Sequence, residues 1–226
     1  MTKVNEKSEK ATTATLAYEQ MRSDILRGNL RPGQKLAIDV VAQRYGVGTN
    51  PVREALNRLS SERLVDRHDQ RGFSVPEISL ENWRELVGTR CMLEPLALEQ
   101  SILRRTTEWE EQVVLALHRL SRTPWTQEDP DMERRKQFEG FHRDFHLTLI
   151  ANCGSSWLVQ FCEVLMDHAQ RYIFISASAA YPRRGGQDEH KRIADAALDG
   201  NVAEAKQLLV AHYMRTLEYI ESEIAN

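Results

Sequence analysis

Between Ile38 and Leu59 the chain carries two apolar stripes of helical period set back to back. Ile38, Val41, Ala42 and Tyr45 fall at i, i+3, i+4 and i+7, the spacing of one buried helical face. Gly46-Val47-Gly48 interrupts this with a tight turn. A second helix opens at Thr49-Asn50-Pro51, with Thr49 or Asn50 as its cap and Pro51 in the first turn, where a missing N–H is tolerated. Val52, Ala55, Leu56 and Leu59 repeat the apolar period, while Asn50, Arg53, Asn57 and Arg58 occupy the other face. Two short helices joined this way, the second with an apolar back and an Arg/Asn front, match a helix-turn-helix whose second helix lies in a DNA major groove. The plainer alternative is an αα-hairpin inside an ordinary helical domain.

The residues beyond Leu59 favour the DNA-binding reading. Leu64-Val65-Asp66-Arg67 is a short strand signal, His68 to Gly72 is a polar tip containing glycine, and Phe73-Ser74-Val75 returns as a strand that Pro76 ends. A β-hairpin wing behind a helix-turn-helix gives His68 and Arg71 at its tip a second route to phosphates or the minor groove. The candidate DNA-contacting residues are therefore Thr49, Asn50, Arg53, Asn57, Arg58, His68 and Arg71.

The net charge of −3 averages two unlike parts. Residues 1–79 hold 13 Lys/Arg against 10 Asp/Glu, and the remainder 17 against 23, so a mildly basic front precedes an acidic rear. No apolar run approaches membrane-spanning length, and the polar first residues lack a secretory h-region, so a cytoplasmic protein without membrane contact is expected. Cys91, Cys153 and Cys162 form no CxxC pair and read as buried thiols of a reducing compartment.

Taken in order, Met1 to Thr13 reads as a disordered arm. A first helix is expected from about Leu16 to Arg27, then a type II turn at Leu30-Arg31-Pro32-Gly33. Helices are expected over Ser79 to Ser101, with Pro95 kinking or splitting it, and from a Thr107/Glu110 capping box onward. Thr123 to Pro130 is a loop. Further helices cover Met132 to Ala151, Ser155 past Ile173, Asp188 to Leu198, and Val202 to Ile224 behind an Asn201/Glu204 capping pair, with a loop at Tyr181 to Gly186. The fold class is mainly α: a winged helix-turn-helix over 14–77 and an all-α bundle of about six helices over 79–226.

Five of the seven histidines lie after Pro130. His142 and His146 stand at i, i+4 on one helix face, His190 opens the penultimate helix and His212 sits midway along the last. Imidazoles from three helices converging in a bundle core suit a borderline divalent ion, zinc first, with nickel, manganese or iron as alternatives. Unrelated surface or core histidines are the plainer reading. His142 and His146 enclose Arg143, Asp144 and Phe145, so the glutamate base of HExxH is missing and a binding site is expected rather than a reaction centre. Arg90, with Glu94 four residues on, is the candidate that turns a guanidinium inward towards a carboxylate ligand; a solvated ion pair is its alternative.

The sequence resembles the GntR family of bacterial transcription regulators, in its FadR-like branch with an all-helical FCD effector domain. The resemblance runs from about Tyr18 to Met214. It rests on Pro51-Val52-Arg53-Glu54-Ala55-Leu56 with Leu59, on Gly72-Phe73-Ser74-Val75, on Arg90 with Leu93-Glu94, on Phe145-His146, and on Glu189-His190 with Gly200 and His212. It implies homodimers on an inverted-repeat operator, with a small carboxylate or sugar acid shifting DNA affinity. It also implies a metal held by three histidines, matched by His146, His190 and His212, plus an aspartate four residues before the first. Here that position is His142, a departure that makes the site less negative. Asp144 lies on another side of the helix and does not substitute. Arg53 matches an operator-contacting position, whereas Gly48-Thr49 replaces a Ser-Arg pair common in the family, so one DNA-contacting arginine is absent. The function expected is a metabolite-responsive repressor. A metal-dependent enzyme acting on small organic acids and an activator of the same fold are the alternatives.

Overall fold

The computed structural model describes residues 12–69, 71–124, 131–176 and 186–224. It divides into two compact units between Glu77 and Ile78. Most of the expected Met1–Thr13 arm and most of the loops at Thr123–Pro130 and Tyr181–Gly186 lie outside the described residues.

In the first unit, α1 (Thr13–Leu26) starts three residues before the Leu16 expected, because the Thr12 hydroxyl accepts the Thr15 N–H at 3.1 Å and caps it. Arg31 to Gln34 form the expected turn, with Gly33 at φ +72° and the Gln34 N–H on the Arg31 carbonyl. After the two-residue strand β1 (Lys35–Leu36) comes α2 (Ile38–Tyr45), ended by Gly46 at φ +65°. Next is α3 (Thr49–Ser61), whose cap is Gly48 rather than Thr49 or Asn50. Gly48 already has the extended backbone a cap needs, so the helix begins one step sooner and Thr49 and Asn50 stand exposed in its first turn.

The wing strands are β2 (Asp66–His68) and β3 (Gly72–Ser74). The sheet order is β1-β3-β2, antiparallel throughout, with Leu36 opposite Phe73 and His68 opposite Gly72. Leu64 and Val65 precede β2 as buried core residues rather than lying in it. Val52, Ala55, Leu56 and Leu59 bury the back of α3 against Ala17, Met21 and Ile25 of α1. Burial at this density, about 25 cal/mol per Å² of apolar surface, holds α3 in place.

The second unit consists of α4 (Leu80–Leu103), α5 (Thr107–Arg122), α6 (Met132–Ile150), α7 (Ser156–Ser176), α8 (Gly186–Leu198) and α9 (Val202–Ile224). Pro95 does not split α4, which stays continuous around it and buries the ring. The cap of α5 is Thr106, whose hydroxyl accepts the Trp109 N–H, and not the Thr107 of the expected capping box. The Ser79 and Asn201 caps form as expected, Asn201 reaching Glu204 both ways. α4 runs through the unit, packing on α9, α7 and α6, with Trp83, Val87, Ala97 and Leu98 in the core.

Glu62 ties the end of α3 to α1. Tyr18 donates its hydroxyl to Glu62 at 2.7 Å, and Arg58 lies 3.7 Å above the Tyr18 ring. Burial and the Glu62 carboxylate push the Tyr18 phenol up to about 12. An acid whose folded value exceeds its unfolded one contributes stability below the unfolded value of 10 and loses it as pH rises towards 12. Urea unfolding of the first unit's signal is expected to show stability falling between pH 10 and pH 12, with a smaller fall in Tyr18→Phe; equal falls would contradict this.

Candidate metal centre and nucleic-acid interface

Four imidazoles meet inside the second unit. His142 and His146 come from adjacent turns of α6, His190 from the first turns of α8 and His212 from the middle of α9. Each offers a ring nitrogen, and these four atoms all lie within 4.8 Å of one another. The His142 Nε2 stands 3.1 Å from the His190 Nε2 and 3.2 Å from the His146 Nε2. Two nitrogens bound at 2.0–2.1 Å to one tetrahedral ion are about 3.3 Å apart, so these separations are those of neighbouring ligands. Lone pairs so close repel unless a proton or a cation lies between them. His146, His190 and His212 are at most 3% exposed, and Phe145 packs edge-on against His146 and His190.

Desolvation, the three other imidazoles and Arg90 push His146 well below the ordinary histidine range, so it is neutral and its lone pair is available. His212 gives its Nδ1 side to the Glu189 carboxylate at 2.7 Å, and Arg215 holds the other Glu189 oxygen at 2.9 Å. The nitrogen His212 has left for an ion is Nε2. A carboxylate behind a histidine ligand fixes its tautomer and ring orientation. The donor set fits a borderline cation: four nitrogens, no water-stripped carboxylate, and a buried apolar collar.

Arg90 points inward. Its side chain is 8% exposed and its Nε meets Glu94 Oε1 at 2.5 Å, with a second contact to Oε2 at 3.3 Å, which settles the alternative of a solvated pair. Its guanidinium lies 4.0 Å over the Tyr213 ring. Burial pulls its pKa down, yet Glu94 and Tyr213 more than offset this and hold the charge. Tyr213 donates to Glu94 Oε2 and sits 3.3 Å from the His146 Nδ1. Tyr213 drew no attention in sequence. Its one signal there is adjacency to His212, which by helix geometry puts it on a different side of α9. Asp144 is exposed and lines a separate cleft of about 340 Å³ between α5, α6 and α7, away from the histidines.

The DNA candidates lie in the first unit. Thr49, Asn50, Arg53 and Asn57 are exposed along one side of α3. Arg58 is also exposed but is anchored over Tyr18 and 3.7 Å from Glu62. At the wing, His68 Nε2 is 2.8 Å from the Ser74 hydroxyl, and Arg71 is exposed at the turn, its N–H on the His68 carbonyl. The structure thus groups the α3 residues and groups the wing pair.

Known proteins carry both parts. A family model described as "FCD domain" matches residues 85–215, and one described as "Bacterial regulatory proteins, gntR family" matches residues 13–75. The HTH-type transcriptional regulator BphR of Paraburkholderia xenovorans (strain LB400) is 37% identical over 90% of this chain and 83% of that protein. The HTH-type transcriptional repressor GlaR of Escherichia coli (strain K12) is 30% identical over 94% of this chain and 98% of that protein. The solved structure of E. coli McbR/YncC superposes with a TM-score of 0.78 over 95% of this chain and 100% of that one, at 20% identity, which speaks for the fold. FCD domains are often metal-binding, and GntR regulators bind DNA operators and typically act as dimers. These relatives are regulators and not enzymes, which sets the enzyme alternative aside. The chain belongs to the GntR family of transcription regulators, with an FCD domain behind its winged helix-turn-helix.

Proposed function

We propose that the chain is a metabolite-responsive repressor, working in the cytoplasm as a homodimer on an inverted-repeat operator. The relative named a repressor supports that sign of regulation. The observation that carries DNA recognition is the exposed row Thr49, Asn50, Arg53 and Asn57 on α3, whose back is fully buried. In this reading α3 enters the major groove, Arg53 reads a base edge, Arg58 meets a phosphate from its seat on Tyr18, and His68 and Arg71 reach the flanking backbone.

The effector centre in this reading is a zinc ion on His142, His146, His190 and His212. Four neutral imidazoles leave the ion its full +2 charge, so an anion is attracted to it more strongly than in a site containing a carboxylate ligand. A small organic acid suits that centre, with Arg90, its charge balanced by Glu94, as a further hydrogen-bond donor to it. A coupling of about 1–3 kcal/mol between acid and operator suffices for regulation.

Two measurements test the two halves. On a duplex selected from random sequence by the wild-type protein, Arg53→Ala is expected to weaken binding by about 1–3 kcal/mol and to relax base preference at one position per half-site. A footprint and affinity unchanged by that substitution would remove α3 as the recognition helix. Zinc-loaded wild type is expected to retain one ion per chain after gel filtration and to release it as pH falls below the ordinary histidine value of 6.5, because protons compete for the same lone pairs. His190→Ala is expected to lose the ion at neutral pH; retention there would contradict the ligand set.

A further inference from the structure

The buried polar groups behind His146 form a chain whose proton positions are set by what each group is able to do. Arg90 on α4 has donors only, so the Glu94 carboxylate between it and Tyr213 accepts from Arg90 on one side. Glu94 is fully buried and, as a carboxylate held by Arg90, has no proton to give. The Tyr213 hydroxyl at Glu94 Oε2 must therefore donate to it. A hydroxyl owns one hydrogen. With that hydrogen committed, Tyr213 faces the His146 Nδ1, 3.3 Å away, with oxygen lone pairs alone. The only compatible partner is an Nδ1–H, and a neutral His146 with its proton on Nδ1 has its lone pair on Nε2, the atom that faces His142 at 3.2 Å.

We infer that Glu94 and Tyr213 are positioning residues for the four-histidine centre: the Glu94 charge, passed through the Tyr213 hydroxyl, fixes the tautomer in which His146 is able to bind an ion. This deepens the metal-centre reading and rests on it for its purpose, although the tautomer itself is set with or without an ion. The arrangement is the counterpart, one hydrogen bond longer, of the direct Glu189 contact behind His212. It spans three helices, with Arg90 and Glu94 on α4, His146 on α6 and Tyr213 on α9.

The chain predicts an inversion. In Glu94→Gln, the amide oxygen stays on Arg90 and the NH₂ group turns to Tyr213 and donates to it. The Tyr213 hydrogen is then released towards His146 Nδ1, which must become the acceptor, and the His146 proton moves to Nε2, where it blocks the ion. Tyr213→Phe removes the acceptor without supplying a donor, so it loosens the preference and does not reverse it. An isosteric change two bonds away should thus harm zinc binding more than deletion of the group touching the histidine.

The test uses the full chain with ¹⁵N-labelled histidine. Long-range ¹H–¹⁵N correlation of the zinc-free protein above pH 7.5 reads each tautomer, and competition with a chromophoric chelator reads the zinc affinity. The expected results are an Nδ1–H tautomer for His146 in the wild type, a mixture in Tyr213→Phe with zinc affinity about tenfold lower, and an Nε2–H tautomer in Glu94→Gln with a loss towards about 100-fold. His212 should keep its tautomer in both variants. An Nε2–H His146 in the wild type, or a Tyr213→Phe protein that loses affinity with the His146 tautomer unchanged, would overturn the inference. If Glu94→Gln fails to fold for want of a charge beside Arg90, the wild-type and Tyr213→Phe measurements decide alone. A wild type that shows the Nδ1–H tautomer but binds no zinc would sink the metal-centre reading and leave the relay standing.

Discussion

Four imidazoles share one buried place only while none of them carries a charge and their lone pairs have something to point at. Several described groups around the centre meet that constraint. Desolvation and mutual repulsion keep His146 neutral. Glu189 and Tyr213 stand behind two of the rings, and Phe145 fills the space against His146 and His190 that water would otherwise take. A site of this kind is poorly stabilised by itself. Three nitrogens at 3.1–3.2 Å spacings need a proton or a cation among them, and a divalent ion satisfies all at once.

The Arg90–Glu94 pair shows the same economy. A buried ion pair costs much of its Coulombic gain in desolvation, so its presence on α4 is poorly explained by stability alone. Held by Tyr213 from one side and stacked on its ring from the other, it supplies a fixed charge pattern one residue removed from the histidines. The pair is neutral as a whole, and the four histidines add no negative charge. An ion held in this centre would keep its positive charge and attract an anion, which is the electrostatic basis of the effector reading proposed above. α4 also comes directly after the wing in sequence, residues 75–79 being all that separates it from β3.

Much of this was legible in sequence because period and turn chemistry act locally. The stripe Val52, Ala55, Leu56, Leu59 and the left-handed Gly46 define the helix pair without help from distant residues. The caps were less legible where two candidates adjoin. Thr106 and Thr107 both offer a hydroxyl, and Gly48 competes with Thr49 through its backbone alone. β1 is two residues long and exists by pairing with β3, so nothing in its own composition announces it. At the site, the i, i+4 pair His142 and His146 could be read from one helix, but the approach of α8 and α9 is a tertiary fact: convergence of three helices stood beside the alternative of unrelated histidines until the family resemblance favoured it. The Glu94 spacing offered Arg90 an ion-pair partner but not a direction, and the burial of the pair is tertiary. Tyr213 could not be found, since a tyrosine on an amphipathic helix reads as core until its hydroxyl's partners are known.

The central claim is that one zinc ion is held by four imidazole nitrogens, with no carboxylate among the protein ligands. Zinc K-edge X-ray absorption on the loaded full chain tests it most directly. The account predicts a first shell of nitrogen or oxygen at about 2.0–2.1 Å whose outer-shell scattering requires four imidazoles. A fit with two imidazoles or fewer, or a sulfur scatterer at about 2.3 Å, would contradict it.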